Sequence, residues 1–181
     1  NSGSWRMYRS TDGGMNWEDR HAINDFWETV GTSITDPDIV LFAGVEVWRS
    51  TDGGGSFTRV NEWGEYYGDP EFKLHADNPS MQTHWIDGQE VFILNTDGGS
   101  YKSYDGVETV QNISLQGLGI SQYYDVFTSA NNPYLVAAGA QDQGYQQSLP
   151  DNGRAPFLDF DQLISGDYGH LTSSDGSHDV V

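Results

Sequence analysis

Ser10-Thr11-Asp12-Gly13-Gly14-Met15-Asn16-Trp17 returns almost unchanged as Ser50-Thr51-Asp52-Gly53-Gly54-Gly55-Ser56-Phe57. Each copy follows a short alternating run, Trp5 to Arg9 and then Val45 to Arg49, so each reads as a strand, a tight turn and the start of another strand. In such a turn the aspartate folds its carboxylate onto N–H groups ahead of it, and the glycine pair supplies the positive φ that other residues resist. The Ser10 or Ser50 hydroxyl adds a further bond, while Trp17 or Phe57 places an apolar plate between neighbouring sheets.

The pattern S-x-D-G-G-x-x-W/F resembles the Asp box, or BNR repeat, of sialidases, sortilin-type receptors, xyloglucan-cleaving endoglucanases and photosystem-assembly propellers. The resemblance implies a fastener at the rim of a propeller blade that does no chemistry, carried here by Ser10, Asp12, Gly14 and Trp17 and by Ser50, Asp52, Gly54 and Phe57. Ser103-Tyr104-Asp105-Gly106 reads as a decayed third copy without the second glycine and the tryptophan. The first two copies lie 40 residues apart, the length of one four-stranded blade.

The rest of the chain agrees with an all-β reading. Ile39–Ala43, Phe57–Val60, Glu90–Leu94, Ser100–Ser103, Gln122–Phe127 and Tyr134–Ala138 read as strands, with Asn95 to Gly99 a tight turn. Ile23, Phe26, Trp27 and Val30 fall at helical spacing, so residues 21–30 read either as one or two helical turns or as irregular chain. Asn61 to Pro70 reads as an excursion over one face. The expectation is one β-propeller domain over 1–181, built of four-stranded antiparallel blades: about four, the first and last incomplete. Ser177 to Val181 reads as the beginning of a strand, and the remaining blades would belong to a larger propeller chain.

Composition narrows the function. Among 181 residues 22 are glycine, and lysine occurs only at Lys73 and Lys102, the profile of short strands and many turns. A formal charge of −19 argues against nucleic acid and anionic membranes as partners. It suits an extracellular setting, divalent cations or a basic protein. With no cysteine there is no disulfide framework, thiolate metal site or cysteine nucleophile. No apolar run reaches the roughly 20 residues of a membrane span.

A second resemblance covers residues 73–170. His75-x-Asp77, Asn95-Thr96-Asp97-Gly98-Gly99, Ser103-x-Asp105, Gln122-Tyr123-Tyr124, Gln141-Asp142-x-Gly144 and Gly166-Asp167 follow one another in this order. The series is similar to bacterial secreted BNR-repeat proteins described as glycosyl-hydrolase-like or sortilin-like. Thr96, Gln143 and Tyr168 depart from that pattern.

Three groups of residues could carry function. Asp97, Asp142 and Asp167 recur at turns of successive units; converging, they would serve as the acid and base of glycoside hydrolysis or as oxygen ligands for Ca²⁺. His75, Asp77 and His84 are metal-ligand types. Trp63, Tyr66, Tyr67 and Trp85 could stack on sugar rings or anchor a protein. No phosphate loop, nucleophile elbow or zincin helix occurs, and six arginines, mostly beside the repeats, form no sialidase-like cluster. The sequon Asn112-Ile113-Ser114 would matter only in a eukaryotic secretory pathway. The leading expectation is a non-catalytic, secreted propeller that binds or scaffolds a protein or glycan. The alternatives are a glycoside hydrolase and a structural subunit of a larger assembly.

Overall fold

The computed structural model describes residues 5–114, 121–148 and 159–171; the strand expected at Ser177 lies outside them. The chain is all-β and divides into two compact units, Asn1–Leu118 and Gly119–Val181.

Unit 1 holds three antiparallel sheets. The first pairs β1 (Trp5–Arg9) with β2 (Glu18–Ile23). The second runs in order β3 (Thr29–Thr32), β4 (Val40–Ala43), β5 (Val47–Ser50), β6 (Thr58–Arg59). A 3-10 helix, Trp63–Gly68, occupies the expected excursion. The third sheet repeats the up-and-down order with β7 (Ser80–Ile86), β8 (Gln89–Thr96), β9 (Gly99–Ser103) and β10 (Gln111–Asn112). The described residues of unit 2 form one four-stranded sheet of the same order: β11 (Tyr123–Thr128), β12 (Val136–Ala140), β13 (Gly144–Ser148) and β14 (Phe160–Ile164).

Residues 21–30 form no helix. Their apolar side chains are claimed by different partners: Ile23 is buried at the end of β2, Trp27 stands edge-on to Trp5 at 5.6 Å, and Phe26 faces outward from the connection to β3.

The core of unit 1 is made by two sheets packed face to face. Leu41, Ala43 and Val47 of the second meet Met81, Phe92, Leu94 and Tyr101 of the third, with Leu74, Val107 and Val110 filling between. All of β4 is buried, which is why Val40-Leu41-Phe42-Ala43 reads as an unbroken apolar run rather than an alternation. Burial pushes the Tyr101 hydroxyl up to about 12. Along one edge β3 runs beside β7: Thr83 Oγ1 donates to Thr32 O at 2.8 Å, and Gly31 leaves room for Met81. Glu90 of β8 then gathers the loop after β3, accepting from the Ser33 hydroxyl at 2.8 Å, the Thr35 hydroxyl at 2.9 Å and the Ile34 N–H.

Candidate functional site

Antiparallel order puts the two kinds of turn at opposite ends of each sheet. The duplicated segments and their third copy close the β1–β2, β5–β6 and β9–β10 hairpins, and all three are hydrogen-bonded alike. The serine hydroxyl (Ser10, Ser50, Ser103) donates to the aspartate Oδ1 and accepts an N–H from four residues on (Gly14, Gly54, Val107). The same Oδ1 accepts the N–H of Asn16, Ser56 or Thr109, whose side chain donates to Oδ2 at 2.6–2.8 Å.

These bonds stabilise the ionised carboxylate. The Asn16 N–H and amide, then Ser10, lower Asp12 to about 2. Asp52 is held well below the usual range chiefly by the Ser56 N–H and the Ser50 hydroxyl. Burial pushes Asp105 up, but the bonds from Thr109 and Ser103 outweigh it and leave the group below its ordinary value.

Backbone geometry follows the same template. Gly13 and Gly14 have φ of 73° and 88°, and Gly53 and Gly54 have 70° and 85°. In the third copy Gly106 keeps 69°, while Val107 is forced to 65°. Its fully buried side chain offsets that strain. Phe57 does act as a plate, against His21 at 5.1 Å and Phe42 at 4.9 Å. Trp17 does not: it is 62% exposed and its indole N–H returns to Gly14 O.

The second and third clasps are also gripped from the preceding sheet. Arg9 fills the space where a side chain on Gly53 would lie and bonds Asp38 at 2.8 Å, while the Gly53 N–H donates to Asp38 O. Arg20 donates to the carbonyls of Asp52 and Gly53. One sheet later Arg49, in the place of Arg9, donates to the carbonyl of Gly106, in the place of Gly53, at 2.7 Å. The three clasp aspartates are thus committed to structure.

The opposite ends of the sheets carry most of the remaining candidates. In unit 1 the loop 74–78 crosses the β4–β5 turn: the N–H groups of Asp77 and Asn78 donate to Val45 O and Gly44 O. Asp77 has φ 57° and is exposed. Buried His75 lies so close to Gly98 in the β8–β9 turn that a Cβ there would sit 2.4 Å from its own Cβ. The H-x-D and D-G-G elements therefore meet through packing. Tyr66 stands edge-on to the His75 ring at 4.6 Å, and Tyr67, 65% exposed, lies beyond it. Asn78, buried, donates to the carbonyls of Val45 and His75, and its Oδ1 has no partner among the described residues.

His84 and Trp85 are placed elsewhere. They lie near the β7–β8 turn, at the clasp end of the third sheet, separated from the opposite end by a seven-residue strand that spans roughly 20 Å. His84 bonds Gln82, and among the described residues no three His, Asp or Glu side chains gather to hold a metal ion. His75, Asp77 and His84 accordingly form no common site, and Trp85 does not join Trp63, Tyr66 and Tyr67.

Asp97 is exposed in the β8–β9 turn of unit 1. Asp142 and Asp167 belong to unit 2, which brings them together: the Asp142 N–H donates to Asp167 Oδ1 at 2.9 Å, with Asp142 at φ 61° in the β12–β13 turn. Tyr124 donates to Gln141 beside them, and Tyr123 to Gln146 at 2.7 Å. The sequon is not presented as an acceptor: Asn112 is buried, its amide donating to Pro70 O and Gly98 O.

One feature of this face was not read from sequence. A cleft of about 230 Å³ is lined by Asp25, Phe26, Val45, Glu46, Trp48 and Trp63. Trp63 is fixed by its own N–H, which donates to Glu46 Oε1, and by the helix-start bond from Glu62 N–H to Glu65, which Lys73 pairs at 2.7 Å. Only Trp63 carried a signal. Phe26 sat in the ambiguous stretch, and Trp48 in the run preceding a clasp.

No protein-family model matches the chain, and no curated protein matches it either. Among the described residues no helix is long and apolar enough to cross a membrane.

Proposed function

We propose that the chain is part of a β-propeller with Asp-box clasps, acting as a non-catalytic, secreted binding module that recognises a protein or glycan with the sheet ends opposite the clasps. The observation that carries this reading is the division of labour between the two ends. The clasp carboxylates are consumed by their own turns, whose backbone carbonyls are held by the neighbouring sheet in the second and third copies, while the other end in unit 1 presents Trp63, Tyr67 and Phe26 to solvent. Repetition of one strand order and one clasp supports the propeller architecture.

The hydrolase reading keeps one specific support, the Asp142–Asp167 pair. The test is direct. The protein is incubated with polysaccharides and released reducing ends are measured, alongside calorimetric titration with soluble oligosaccharides and peptides. Binding without hydrolysis is expected. Hydrolysis abolished by Asp142→Asn or Asp167→Asn would overturn the proposal.

A further inference from the structure

Resting on the binding-module reading, we infer that the cleft bounded by Asp25, Glu46 and Trp63 receives a lysine or arginine side chain from a basic segment of a partner protein. Its volume of about 230 Å³ is below the roughly 300 Å³ at which pockets for whole small molecules begin, and suits one long side chain. Phe26, Trp48 and Trp63 supply aromatic faces, over which a cation is held by the ring quadrupole and an aliphatic stem by apolar contact.

The polar groups sort sugar from cation. Among the lining side chains the acceptors are the two carboxylates, and the donors are only the indole N–H groups of Trp48 and Trp63. Each of the several hydroxyls on a pyranose ring accepts as well as donates, and two indole donors can serve few of them. An ammonium or guanidinium only donates, which fits carboxylate acceptors.

The two carboxylates have different duties. Glu46 is neutralised by Arg59, at 2.8 and 3.1 Å, and anchors the Trp63 backbone, so it builds the wall. Asp25 makes no hydrogen bond or ion pair with the described residues and is the charge left for a ligand.

The described residues hold no uncommitted lysine or arginine that could fill the cleft. Every lysine and arginine among the described residues is engaged: Arg6, Arg9, Arg20, Arg49, Arg59 and Lys73 in ion pairs, Lys102 over the Tyr104 ring. With a formal charge of −19, the surrounding field draws in a basic partner.

The test titrates the chain with tetralysine amide and tetraarginine amide. Tetraglutamate and the hexamers of xylose, glucose and N-acetylglucosamine serve as comparisons, followed by tryptophan fluorescence and calorimetry at low ionic strength. The basic peptides are expected to quench fluorescence and bind, with affinity falling about tenfold in Trp63→Ala and severalfold in Asp25→Asn. Asp87→Asn, an exposed turn carboxylate at the clasp end, is expected to leave binding unchanged. Equal losses in Asp87→Asn and Asp25→Asn would show general attraction to an acidic protein and overturn the cleft. So would the absence of peptide binding. Sugar binding at Trp63 without peptide binding would refute the cation but leave the binding-module reading standing, whereas sugar hydrolysis would remove that reading itself. If Trp63→Ala fails to fold, Phe26→Ser and Asp25→Asn, both at exposed positions, decide the matter.

Discussion

Glu90 offers the sharpest test of how the second and third sheets of unit 1 are joined. Its carboxylate collects the Ser33 hydroxyl, the Ile34 N–H and the Thr35 hydroxyl, all more than 50 residues away in sequence. Three bonds to a partly accessible carboxylate contribute about 1 kcal/mol each, so Glu90→Ala should cost about 3 kcal/mol. Glu90→Gln should cost about 1 kcal/mol, because the amide oxygen still serves Ile34 while the hydroxyls reorient to accept. Burial raises the pKa of Glu90, but the bonds from Ile34, Ser33 and Thr35 outweigh it and hold the folded value below the ordinary 4.5. A folded pKa below the unfolded one means that the charge stabilises fully above the unfolded value and loses its effect as pH falls through the folded one. Urea unfolding followed by tryptophan fluorescence should therefore show a gap between the parent and Glu90→Gln near pH 7 that is smaller at about pH 3, below the ordinary 4.5. An equal gap at both pH values, or an alanine variant as stable as the parent, would refute the argument.

Three further outcomes are expected. Gly98→Ala places a methyl against His75 Cβ, which cannot swing away, so the 74–78 loop must move at a cost of about 1–3 kcal/mol; loss of the Tyr66 ring-current shift on the His75 protons would report it. Val107→Gly removes a buried side chain yet relieves a positive φ, and the opposing terms leave a net loss of about 1 kcal/mol in urea unfolding, far less than at an ordinary core valine. Arg9→Met and Arg49→Met, each removing one grip on a clasp, should each lower stability by about 1 kcal/mol and sum in the double variant, because they join different pairs of sheets. Non-additivity would show that the two joints act as one.

The clasps were legible because their chemistry is local: Ser10 to Asn16 contains nearly every group that the turn needs. The third copy remained visible through Ser103 and Asp105 although Val107 replaced a glycine. Strand β7 was harder to read, since Met81-Gln82-Thr83-His84-Trp85-Ile86 leaves Trp85 and Ile86 exposed and buries only Met81. The apolar spacing of residues 21–30 left two readings open because it summed contacts made separately with a strand, a tryptophan and a cleft. The cleft itself was beyond reach, because Phe26, Trp48 and Trp63 come from three connections or strands and converge only when the sheets pack. The grouping of Asp142 with Asp167 was within reach, as both head acidic turns, whereas the hydrogen bond between them needed the hairpin register.

The arginine that precedes each of the first two clasps has a consequence for how such a chain changes over generations. Arg9 reaches forward to the second clasp as Arg49 does to the third, so the 40-residue segment between them brings both a plug and a matching receptacle. A tandem duplication of one 40-residue unit would arrive with its couplings already made. The joint therefore leaves the number of units open to drift, while the loops at the far end stay free to diversify.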